Sequence, residues 1–382
     1  MSRLRVARVR LKKLVSRKAR LRQSAEAAGL TPSDVAAILD SEPARFSSEL
    51  AEAWQICDSL LNQIHQALSE GAEARIFDTS VKFRSTEHAQ AFVNLDGTAG
   101  FEWLKQNGYG TEVVLIVFKQ VCRALASDLV EFATQALNCT IRGPLTVAIA
   151  LLRKPLKEDL FFLEWLLADT DDFLQRFFGG DIERFKLERL SSQRKIEIIR
   201  GAMTASTLGE WIPAEYIYRF RFDKMTDIGF ERLWQKANHL VTTLDPLRTE
   251  RENFNFVFSN DEDRKAQWAA FYGLAPILFF HVVQVFEALL ARFSTRKDSA
   301  KDFSPIRTLA GMLLWMRSKG CILDLTPAKR YFARIVTGFI RQHRCPKCGA
   351  VISWREENMR RLFENASVRC LSCNVITCLD ER

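Results

Sequence analysis

Leu274-Ala275-Pro276-Ile277-Leu278-Phe279-Phe280-His281-Val282-Val283-Gln284-Val285-Phe286 is the greasiest run of the chain, and what buries it decides the fold. A membrane-crossing helix needs about 20 mainly apolar residues. This run is interrupted by Pro276, His281 and Gln284 and meets Glu287. A second run, Val113 to Phe118, is bounded by Glu112 and Lys119. Both read as buried core helices with no transmembrane segment, inside helical patterns near 262–295 and 112–138.

Working outward, the same periodicity places helices near 144–168, 191–206, 226–243, 304–318 and 327–343. Pro155 has no N–H to give, so it should kink the 144–168 helix or restart it after Lys154. Residues 69–110, with glycines at 71, 97, 100, 108 and 110, read as loops with short elements. The alternation Asn253-Phe254-Asn255-Phe256-Val257-Phe258 suits one short strand, and the polar stretch 294–302 suits an exposed loop. With 47% hydrophobic residues, 17 glycines and 10 prolines in 382, the chain has material for a large core. It has too little glycine for a turn-rich β fold or a nucleotide-binding βα fold.

The net charge of +9 is concentrated at one end. Arg3, Arg5, Arg8, Arg10, Lys12, Lys13, Arg17, Lys18, Arg20 and Arg22 all precede the first acidic residue, Glu26. Without those ten, 45 Lys and Arg face 46 Asp and Glu, so the remainder is near neutral. Residues 1–25 therefore form a basic arm, amphipathic from Leu4 to Leu21, suited to a polyanion such as nucleic acid. An acid-free, arginine-rich start also fits a mitochondrial presequence. Thr31, Pro32 and Asp34 then begin a helix to Leu39, and another follows at 44–68. The first of these is similar to the opening helix of a helix-turn-helix. The second carries Glu49, Glu52 and Asp58 where base-reading side chains would stand, which points to a plain helical hairpin.

Cys345-Pro346-Lys347-Cys348-Gly349 and Cys370-Leu371-Ser372-Cys373-Asn374 are two C-x-x-C pairs 21 residues apart. Each pair can turn two thiolates toward one ion, and the following Gly or Asn tolerates the positive φ such a knuckle needs. Four thiolates close the coordination sphere, so the implied zinc ion is structural. The segment resembles a zinc ribbon, with a short helix from Glu356 to Glu364 between its knuckles and Cys378 as a spare thiol. Cys57, Cys122, Cys139 and Cys321 lie in apolar patterns, as free thiols do in a reducing compartment, which sets the expectation of a cytoplasmic protein.

Ahead of the ribbon, Lys329, Arg330, Arg334, Arg341, Arg344 and Lys347 occur without an acidic residue, interleaved with Tyr331, Phe332 and Phe339. Such a segment suits nucleic acid through phosphate contacts and stacking. It equally suits a protein partner, as zinc ribbons also serve as protein-contact modules.

Phosphate loops, dinucleotide fingerprints, zinc-protease helices and nucleophile elbows are absent from the sequence. Arg232 and His239 are spaced to stand two turns apart on one helix face, where a guanidinium could hold a phosphodiester while an imidazole moves a proton. The spacing resembles the loosest form of the HEPN ribonuclease motif, with Leu233 where that family carries a polar residue. The resemblance implies a metal-independent ribonuclease or toxin. Arg153, Lys157, Glu158 and Glu164 flank an apolar helix and suggest a buried ion pair. With the helix bearing Asn238 and His239, that segment loosely resembles uncharacterised helical proteins of bacteria, which would fit a defence or regulatory system. His281 reads as packed in a core and His88, beside Arg84, as packed or at the surface.

The expected fold class is mainly α: a basic arm at 1–25, a large helical body at 26–342 with a sub-boundary near 70–110, and a small C-terminal zinc ribbon at 343–382. The leading functional expectation is binding of nucleic acid or a protein partner. Ribonuclease activity and a purely structural scaffold are the alternatives.

Overall fold

The computed structural model describes residues 48–379, apart from 181, 227, 244, 246, 250–253, 257–260, 295–297, 319–320, 322–323 and 354. The basic arm and the helices expected before residue 48 lie outside the described residues. The protein is mainly α-helical, and its described strands form one two-stranded ribbon near the C-terminus.

The helices are α1 (Ser48–Glu73), α2 (Thr86–Val93), α3 (Gly97–Gln106), α4 (Gly110–Arg142), α5 (Leu145–Lys154), α6 (Leu160–Ala168), α7 (Thr170–Phe178), α8 (Ser192–Ala205), α9 (Ala214–Phe222), α10 (Phe230–Asn238), α11 (Asp261–Ala291), α12 (Asp298–Trp315), α13 (Thr326–Gln342) and α14 (Glu356–Asn365). The strands are β1 (Ser367–Arg369) and β2 (Ile376–Cys378), antiparallel.

Helix α11 is the centre. Every residue from Phe271 to Phe286 is buried, and α1, α4, α5, α6, α8 and α12 all pack against it. Pro276 does not end the helix, so α11 is long and apolar enough to cross a membrane by length and composition. In this fold, 83% of its most apolar window, of mean hydropathy 1.9, is covered by the protein itself. Helix α13 joins the same core through Phe332, whose ring lies 5.5 Å from Phe280 and 5.6 Å from Trp211.

The α-helical hydrogen bonding stops at Lys154, as Pro155 requires, and the chain widens into a single π-turn, Pro155–Asp159, in which the Leu160 N–H reaches back to the Pro155 carbonyl before α6 begins. A π-turn shifts the hydrogen-bond register and leaves carbonyls for other donors. The Leu156 carbonyl is taken by Arg221 Nε at 2.6 Å. The same guanidinium donates through Nη1 to both Glu164 oxygens at 2.7 and 2.8 Å, and Glu164 Oε1 meets His281 Nε2 at 2.7 Å. All three side chains are at most 1% exposed.

The four charges expected to cluster beside this helix are therefore divided. Glu164 pairs with Arg221 and His281, Lys157 with Glu231 at 2.6 Å, and Arg153 with Glu158 at the surface at 3.3 Å. Burial pushes the Glu164 carboxyl upward, but the Arg221 charge and the His281 ring more than offset it, leaving its pKa below the ordinary value.

As expected of loops with short elements, the region 69–110 contains α2 and α3, which close over an aromatic cluster of Phe83, Phe92, Trp103 and Tyr109. Three other expectations are corrected. Where a strand was expected at 253–258, the described Asn255 and Phe256 form a turn, with Phe256 at φ 59°. Helix α12 begins at Asp298, inside the stretch expected to be a loop. The helix expected at 226–243 is only Phe230–Asn238.

Replacing Arg221 by Met should strand a buried carboxylate and cost about 3–5 kcal/mol in urea unfolding, whereas the double change with Glu164→Leu should recover most of that loss. A lowered carboxylate pKa adds stability that is complete above the unfolded value, about 4.3, and fades as pH falls through the folded value. The native protein should therefore lose stability more steeply in acid than the double variant, as read by thermal melting across that range.

Candidate metal centre

Helix α13 delivers the first knuckle. Its C-cap, His343, accepts from the Ile352 N–H at 3.4 Å, and Arg344 bridges to Val351, so the chain doubles back around Cys345–Gly349. Inside the turn, the Cys345 N–H bonds to the Ala350 carbonyl and the Gly349 N–H to the Cys345 carbonyl, both at 2.9 Å. Gly349 sits at φ 71°, where a side chain would be strained.

The second knuckle repeats this pattern between β1 and β2. The Cys370 N–H bonds to the Val375 carbonyl at 2.9 Å, the Asn374 N–H to the Cys370 carbonyl at 2.8 Å, and Asn374 takes φ 60°.

Together the two turns bring Cys345, Cys348, Cys370 and Cys373 into one cluster whose sulfurs all lie within 4.8 Å of one another. Cys345 and Cys373 are 3.4 Å apart and Cys348 and Cys370 3.6 Å. Metal–sulfur bonds of about 2.3 Å in a tetrahedron require sulfur separations of roughly 3.8 Å, so the four residues fit one ion. Cys378, the spare thiol, is exposed and outside the set.

The knuckle amides also favour thiolates. Backbone N–H groups of Cys373 and Ser372 bring the Cys370 thiol down to about 6, and those of Cys348 and Lys347 lower Cys345. At Cys348 the Ala350 N–H pulls down, but the sulfurs of Cys373 and Cys370 outweigh it and push the thiol up to about 12. A cation bound by the four sulfurs would displace whatever protons the thiols still hold.

The connecting helix α14 ties the centre to the body. Buried Asn358 donates to the carbonyls of Ser353 and Arg369 at 2.9 and 3.0 Å and accepts from the Arg369 N–H at 2.7 Å. The Phe363 ring packs against Gly311 of α12, where an added Cβ would collide with it. Arg307 of α12 caps α14 by donating to the carbonyls of Phe363 at 2.6 Å and Glu364 at 3.0 Å. Arg360 reaches Glu52 of α1 at 2.9 Å. The cysteine module belongs to the same compact unit as the helices, Phe46–Arg382.

Around the centre, Arg341, Arg344 and Lys347 are exposed, and Arg344 also donates to the Gly349 carbonyl at 3.2 Å. Arg3, Arg5, Arg8, Arg10, Lys12, Lys13, Arg17 and Lys18 lie outside the described residues. Arg232 lines a cleft of about 170 Å³ with Lys236, Leu233 and Leu274. Helix α10 ends at Asn238, and His239 is its exposed cap in extended backbone at φ −129°. The helical register that would have set Arg232 and His239 on one face stops one residue short.

Sequence reasoning missed Arg221, Glu231, Asn358 and Arg307. Arg221 left one trace, a charge on the apolar stripe of Ile217 and Phe220.

Substituting Cys345 or Cys370 by Ser should abolish stoichiometric metal in the purified protein and expose residues 343–379 to protease, with α11 still protected. Because protons compete for the thiolates, metal affinity should fall as pH is lowered, measured with a chromophoric chelator.

Comparison with protein-family models, with curated proteins and with solved structures finds no match to this chain.

Proposed function

We propose that this protein binds nucleic acid through the outer face of α13 and the first knuckle, and that the four-cysteine centre holds a structural zinc ion. The carrying observation is how α13 divides. Ala328, Phe332, Val336 and Ile340 face inward, while Arg330, Arg334 and Arg341 are exposed. Between Thr326 and Gly349 there are six Lys and Arg and no acidic residue. A face with one sign of charge attracts polyanions and releases their counterions on binding.

Among the described residues, the acidic side chains of the neighbouring module already have partners. Glu357 pairs with Arg361 and Arg369, and Glu356 and Glu364 with Arg360.

Stacking contributes little to this reading. Phe332 is fully buried, Tyr331 is half-buried, and the Phe339 ring is engaged with His343 at 4.4 Å. Recognition then runs through phosphates and is tolerant of sequence. Zinc suits four thiolates at tetrahedral spacing, and with no open position it orders the knuckle that carries Arg344 and Lys347 without entering any reaction. The basic arm at residues 1–25 would add to the same electrostatic attraction.

The test is the salt dependence of binding to single-stranded RNA and DNA by fluorescence anisotropy. Each phosphate contact on a single strand contributes about 0.7 to the slope of log K against log salt, so the triple change Arg341→Ala, Arg344→Ala, Lys347→Ala should flatten it by roughly 2. An unchanged slope would remove this surface from the contact.

A further inference from the structure

Gly338 sits in the middle of the exposed face of α13, one turn after Arg334 and one turn before Arg341. Arg330, Arg334, Gly338 and Arg341 fall within about 80° of one another around the helix axis, forming a single stripe. Glycine is among the costliest residues for a helix interior, because it loses the most backbone freedom and packs nothing.

Two structural reasons for a glycine are absent here. Gly338 has ordinary helical backbone and is not among the positive-φ residues. An added Cβ would meet nothing within 4 Å, so no neighbour requires the space. Gly311 and Gly349 show the contrast: the first makes room for the Phe363 ring, the second needs φ 71°. What Gly338 provides is a bare stretch of helix surface between two arginines whose backbone positions are about 10 Å apart along the axis.

We propose that Gly338 is the crossing point of the bound strand: a phosphodiester backbone lies directly against α13 there, with Arg334 and Arg341 taking the phosphates on either side. This rests on the nucleic-acid reading above and specifies where the polymer touches. Close approach of a phosphate chain to bare helix backbone brings it within direct hydrogen-bond reach of side chains that a bulky neighbour would hold away. The shared chemistry is the phosphodiester, present in RNA and DNA alike.

The experiment compares Gly338→Leu with Arg334→Ala/Arg341→Ala in the full-length protein, using fluorescein-labelled poly(U) RNA, poly(dT) DNA and a DNA duplex, with melting temperature measured for each variant. Leucine is a strong helix former in open space, so Gly338→Leu should melt no lower than the parent. It should nevertheless bind the preferred polymer about tenfold more weakly, a change on the scale of losing one good contact. If Gly338→Leu binds as the parent does while Arg334→Ala/Arg341→Ala is impaired, the crossing point is wrong and the basic face stands. If neither variant loses affinity, the outer face of α13 is not the contact surface and the crossing point falls with it. If Gly338→Leu melts lower, a packing role for Gly338 replaces the proposal.

Discussion

One apolar helix has to be hidden, and the rest of the body is arranged to hide it. From Phe271 to Phe286, α11 presents no polar face to water, so it must be enclosed on all sides. Burying each large side chain of this run contributes on the order of 1.5–3 kcal/mol, which outweighs any local preference of the enclosing segments. Six helices supply the enclosure, and α13 reaches it through Phe332. This fixes the rotation of α13. With Phe332 and Val336 held inward, Arg330, Arg334 and Arg341 have only the outer side left, and the basic face follows from packing of the core.

The polar features inside the body follow from the same enclosure. His281 and Gln284 are carried into the core by α11 itself, and His281 is answered by Glu164, which in turn is answered by Arg221. The π-turn at Pro155 supplies the further acceptor that Arg221 needs, the Leu156 carbonyl. A buried charge without such partners would be expensive, so this chain of contacts fixes how α6, α9 and α11 sit together.

Much of this was legible in the residues. Helical periodicity located α1, α4, α8, α11 and α13 to within a few positions, and the paired cysteines with their trailing Gly349 and Asn374 foretold both knuckles and the turn geometry. The short helices α7 and α9 were not seen, because nine residues carry barely two turns of pattern. Spacing alone could not show where α10 ends, at Asn238, one residue before His239 and without a strong breaker. Arg307 and Arg221 were invisible as partners, since their contacts lie 56 and 57 residues away in the chain. The dependence of α14 on Gly311 is equally non-local.

Arg330, Arg334 and Arg341 on α13 and Arg344 and Lys347 on the first knuckle are all exposed, and the proposed contact runs through residues 330–347. Amide hydrogen exchange with and without a saturating single-stranded polymer tests this most directly. The chain should gain protection at residues 330–347, with α11 equally slow in both states. Protection confined to other segments, or none at saturation, would contradict the assignment of α13 as the contact surface.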